Sequence, residues 1–115
     1  MSKDYRILIQ DMLFSIENIE SFVKKISKAE FEENLMVQDA VIRRFAVIGE
    51  AANKMPHEVR DKYNTVHWRE IVTMRNFLLH EYFNIDLSIV WDTIKLDLPK
   101  LRVELSKILK DADNK

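Results

Sequence analysis

Apolar residues recur at intervals of three and four along almost the whole chain, the period of one buried helical face, and no stretch alternates as a strand would. Ile9, Met12, Ile16, Ile19, Val23 and Ile26 make the first seam and predict a helix over residues 4 to 27, with Ser2 or Asp4 as its cap. Residues 28 to 34 read as a short acidic connection, one helical turn long, with Phe31 tucked in. Val41, Phe45, Ile48, Ala52 and Met55 predict a second long helix over residues 35 to 55, which Pro56 ends because it cannot donate and disfavours a helical residue before it. A short helical turn and a loop follow from His57 to Asn64. Asn64 or Thr65 is then placed to cap a third helix that carries Ile71, Met74, Leu78 and Tyr82 and runs to about Phe83. After a turn over Asn84 to Asp86, the residues Leu87, Val90, Ile94, Leu98, Leu101, Leu105 and Ile108 give the last seam, and Pro99 predicts a kink or break near Lys95. Four amphipathic helices on short connections imply an all-α fold. The expected architecture is one antiparallel up-and-down four-helix bundle over residues 1 to 115, with short extra helical turns.

Composition narrows the classes. At 115 residues with 47% hydrophobic, one Gly and two Pro, the chain is too apolar for disorder and too poor in turn formers for a β-sandwich. The absence of Cys excludes disulfides, thiol catalysis and thiolate metal sites, and fits a reducing cytoplasm. No apolar run approaches membrane-spanning length, so no membrane attachment is expected. A net charge of −1 means that any grip on nucleic acid has to be local.

Gly49 is the one glycine, and it falls inside the second helix, where it costs roughly 1 kcal/mol relative to Ala. Close approach of a neighbouring helix would compensate. Glu50 beside it has two readings of equal standing: a partner for a cation on the third helix, Arg75 above all, or an i,i+4 surface pair with Lys54.

Chemically capable side chains concentrate in one place, Arg75, Asn76, His80 and Tyr82. On a straight helix Arg75 and Tyr82 lie within about 20° of each other, Asn76 and His80 within about 40°, and Arg75 and His80 diverge by about 140°. Convergence of the last two needs a distorted helix end or a second copy of the chain. His80-Glu81 is not a metalloprotease signature, because Asn84 stands where the second His belongs, and no metal site is expected. One Gly cannot make a phosphate loop. Arg, His, Tyr and Asn without Cys or metal suit metal-free RNA cleavage, in which the ribose 2′-OH attacks its own phosphorus. His80 would move the proton, Arg75 would stabilise the phosphate charge and Asn76 could orient His80. Spacing alone favours quieter roles, with His80 on helix-end carbonyls, Arg75 on Glu50, and Tyr82 as an aromatic with its ring in the core.

Arg75-Asn76-x3-His80-x-Tyr82 resembles the signature of the HepT-like branch of the HEPN superfamily. Ile48-Gly49-Glu50-Ala51-Ala52, Gln38-Asp39-Ala40-Val41-Ile42-Arg43 and Trp68-Arg69-Glu70-Ile71 extend the likeness over residues 5 to 105. The resemblance implies Arg75 and His80 as ribonuclease residues, with Asn76 and Glu50 in support. It also implies Tyr82 as the acceptor of AMP from an MntA-type nucleotidyltransferase. The whole would be the homodimeric, metal-independent endoribonuclease toxin of a type VII-like toxin–antitoxin pair, needing no cofactor. A non-catalytic nucleotide- or partner-binding subunit and a plain helical dimerisation module are the rival expectations.

Overall fold

The computed structural model describes residues 4–114, the side chain of Tyr82 excepted. All regular structure among them is helical, as the periodicity requires: α1 Tyr5–Val23, α2 Lys28–Glu33, α3 Leu35–Asn53, α4 His57–Lys62, α5 Trp68–His80, α6 Leu87–Asp92 and α7 Leu98–Asp113. The last two are joined without a break by a π-helical turn, Thr93–Asp97. Four long helical arms, α1, α3, α5 and the α6–α7 rod, form the bundle. Among the described residues no helix is long and apolar enough to cross a membrane.

Caps set most of the boundaries. Asp4 caps α1 by accepting from Arg6 N, and Ser2 lies outside the described residues. The Arg6 guanidinium also holds the Asp4 carboxyl below its usual range, first through their side-chain hydrogen bond. Ser27 and Glu30 close a reciprocal capping box on α2, which drives Phe31 fully into the core. Asn34 caps α3, and Asp86 caps α6 by accepting from Ser88 N and Ile89 N.

The seams read from spacing are the core. Ile9, Met12, Ile16, Ile19 and Val23 of α1 are buried against Val41, Phe45, Ile48 and Ala52 of α3 and Leu98, Leu101, Leu105 and Ile108 of α7. Glu20 pairs with Arg102 at 3.5 Å and Arg6 with Asp113 at 3.6 Å, which fixes α1 and α7 antiparallel. The α5 helix leans chiefly on α3 and leaves its flank towards α6 and α7 open.

Two expectations are corrected. The third long helix ends at His80 rather than near Phe83, and residues Tyr82–Asn84 form a separate 3₁₀ turn. No Gly or Pro marks that end. Asp86 fixes the start of α6, so the chain must reverse within the few residues after His80 and cannot stay α-helical. Nor does Asn64 or Thr65 cap α5: His67 occupies the cap position and makes no side-chain cap bond. The kink expected from Pro99 takes the form of the π turn. Proline has no N–H for the carbonyl four residues back, and Leu98 N instead reaches Thr93 O, five back.

Candidate functional site

The site is built on α5, and the residues that precede α5 anchor it. Trp68 is buried, and its indole N–H donates to Tyr63 O at 3.1 Å. The Tyr63 hydroxyl in turn donates to Asp111 Oδ2 at 3.0 Å, tying the start of α5 to the end of α7. Burial, and then that hydrogen bond, raise the Tyr63 phenol above its usual range, so it stays a neutral donor.

Arg75 lies where α5 crosses α3 over Gly49. A Cβ placed on Gly49 would clash with the Cβ of Arg75 and lie 2.6 Å from its Cγ. The glycine is therefore what admits the arginine stem, as the expected close approach required. Beyond the stem, Arg75 Nη1 donates to Asn76 Oδ1 at 2.9 Å, while Nε is buried with no hydrogen-bond partner among the described residues. Glu50 resolves to its local alternative, an exposed pair with Lys54 at 3.4 Å. The Asn76 Oδ1 likewise turns to its neighbour Arg75.

His80 is exposed as the last residue of α5. Tyr82 lies beyond that helix end, in the 3₁₀ turn, so the helical angle of about 20° from Arg75 does not describe it, and its side chain lies outside the described residues. Within α5 the divergence of Arg75 and His80 by about 140° stands.

Arg75 borders a groove of about 350 Å³ between α3, α5 and α7, and His80 does not. Its floor is Phe45, Ile48, Ile71, Met74, Leu98 and Leu101, and its rim carries His67, Glu70, Asp97, Lys100 and Glu104. His67 Nδ1 and Glu70 Oε2 meet there at 2.8 Å. Spacing had marked none of these rim residues. The available signal was Pro99, which pointed to a distorted turn, and the repeat of acidic Asp97 and Glu104 seven apart beside the apolar seam.

Comparison with known proteins agrees with this architecture. A family model described as "Ribonuclease HepT-like" matches residues 12–108. This chain belongs to the HepT-like family. Among its relatives, a protein named "Gamma-glutamylcyclotransferase and putative RNase" from Methanocaldococcus jannaschii is 42% identical over 113 residues, which are 98% of this chain and 51% of that protein. The HepT-like chain thus spans about half the length of that relative. A "Probable ribonuclease HepT" from Thermococcus cleftensis is 34% identical over 110 residues, 96% of this chain and 100% of its own. No solved structure matches.

Proposed function

We propose that this HepT-like protein is a metal-independent endoribonuclease, acting as a homodimer and serving as the toxin of a toxin–antitoxin pair. Family membership supports the ribonuclease class. The observation that carries the site assignment is the seating of Arg75. Its stem is fixed over Gly49 and its head is held by Asn76, and Glu50 pairs with Lys54, so among the described residues the cation is positioned without a carboxylate consuming it. A fixed, permanently charged guanidinium suits the non-bridging oxygens of a phosphodiester, whose charge grows in the transition state. His80 takes the proton of the 2′-hydroxyl as that oxygen attacks phosphorus, the role of a general base. The bond to the 5′-oxygen breaks, that oxygen gains a proton, and a 2′,3′-cyclic phosphate is left.

Purified wild type should cleave RNA in EDTA. Arg75→Ala and His80→Ala should each lower the rate by roughly a hundredfold or more, the usual loss for a charge stabiliser or general base. Activity that disappears with EDTA, or survives both substitutions, would overturn the assignment.

For control of the toxin, an MntA-type nucleotidyltransferase transfers AMP to Tyr82. The phenol oxygen attacks the α-phosphorus of ATP and pyrophosphate leaves, adding negative charge close in sequence to His80. The Arg-x4-His-x-Tyr spacing supports this part. Tyr82→Phe should still cleave RNA but escape inactivation by that enzyme and ATP; an adduct on Tyr5 or Tyr63 instead would defeat it.

The second reading, a non-catalytic binding subunit, draws on the fact that the groove bordered by Arg75 is not lined by His80 among the described residues. It expects RNA or nucleotide binding without any cleavage.

A further inference from the structure

The scheme above leaves the groove between α3, α5 and α7 unused. Its volume, about 350 Å³, lies in the range that holds small organic ligands, about 300–1,000 Å³. The floor is apolar, with Ile48, Ile71, Met74 and Leu98 offering a surface for a flat ring. On the α7 wall stand two carboxylates, Asp97 and Glu104, seven residues apart and so two turns apart on one face. Neither makes a hydrogen bond or ion pair among the described residues. Asp97 closes the π turn, and π turns recur at functional sites in helical proteins. Ionised carboxylates only accept hydrogen bonds, so this wall asks for donors. Lys100 stands on the same rim between them, but the two carboxylates outnumber it, and a phosphate is better placed at Arg75, whose head is held by the neutral Asn76.

The matching ligand has a flat apolar body, a donor-rich edge and an anionic group on another side. We infer that the groove takes a guanine base of the RNA, next to the phosphate held by Arg75. The inference rests on the ribonuclease reading above. Guanine presents N1–H and the N2 amino group side by side, a pair that one carboxylate accepts bidentately. Adenine and cytosine each offer a single amino donor on that edge. Uracil offers one N–H between two carbonyl oxygens that a carboxylate repels. The groove therefore ranks guanine first and uracil last.

Methyl NMR spectra of the full chain test this, titrated with guanosine 3′-monophosphate or uridine 3′-monophosphate. The Ile48, Ile71, Met74 and Leu98 methyls should shift at a guanosine nucleotide concentration about tenfold lower than for the uridine nucleotide, as a good bidentate pair discriminates. In the double variant Asp97→Asn, Glu104→Gln that gap should shrink to about threefold or less. Unmoved methyls, or equal response to both nucleotides, would overturn the inference. So would shifts that follow protein concentration alone, which mean that a second copy fills the groove. Uridine oligonucleotides carrying one guanosine at varied positions supply the second arm, and cuts should track the guanosine. Cutting without regard to guanosine, with the titration silent, removes the groove and leaves the ribonuclease. The expected titration with no cutting of any RNA removes the ribonuclease and leaves the groove.

Discussion

Gly49 acts through the atom it lacks. A methyl there would clash with the Cβ of Arg75, which is fixed to the α5 backbone and cannot swing aside, and would also meet Ile71 O at 3.3 Å. Two effects oppose each other in Gly49→Ala. Helix propensity favours Ala by about 1 kcal/mol, and overpacking a close contact costs typically about 1–3 kcal/mol. With backbone-fixed atoms on the far side, the second should win. We expect a net loss of about 1–2 kcal/mol in denaturant unfolding, with RNA cleavage slowed because Arg75 is displaced. Adding Arg75→Ala should not restore stability, since alanine keeps the obstructing Cβ; recovery in the double variant would show that the stem, not the Cβ, makes the contact. That some helix must approach Gly49 closely was legible in the sequence. That Arg75 is what arrives was not, because periodicity reports faces and says nothing of the register between two helices. Glu50 shows the same limit: i,i+4 and cross-helix partners looked equal until the fold placed Lys54 against it.

Helices were legible as elements wherever a seam and a cap agreed. The Asp4 cap of α1 is an example, and the buried positions of α1, α3 and α7 were those of the apolar repeat. The end of α5 was not legible. Tyr82 continues the spacing of Ile71, Met74 and Leu78, and no breaker interrupts it, yet the helix stops at His80. What stops it is the next element. Asp86 holds the α6 amides and Ile85 is half-buried against the core, leaving the intervening residues only a 3₁₀ turn. The turn that carries Tyr82 is thus stabilised from its far side. Asp86→Ala should cost about 1 kcal/mol in unfolding free energy, the usual loss for an N-cap. Amide exchange should rise over residues 84 to 90, while α1 keeps its protection. An unchanged exchange pattern would show that the turn holds without the cap.

Considered whole, the molecule is a bundle with one arm left unsupported. The α5 helix leans on α3, and its open flank shows Phe77 and Ile89 at 45% and 61% exposure, beside a second groove of about 500 Å³. Glu70 and Met74 border both grooves, so the open side runs along much of α5. Arg75 and His80 diverge on that helix by about 140°, and among the described residues neither groove is lined by both. Two copies related by a two-fold axis that meet over Phe77 and Ile89, clear of the first groove, would bury apolar surface and aim the Arg75 of one copy at the His80 of the other. This arrangement has a signature that a site within one chain lacks. Arg75→Ala and His80→Ala homodimers should each be nearly inactive. Unfolded together and refolded as a mixture, they form heterodimers in which one composite site has neither group and the other has both. With random pairing half the dimers are mixed and each carries one intact site of two, so activity should return to about a quarter of wild type. A monomer at micromolar concentration, or a mixture no more active than its components, would place the whole site within one chain.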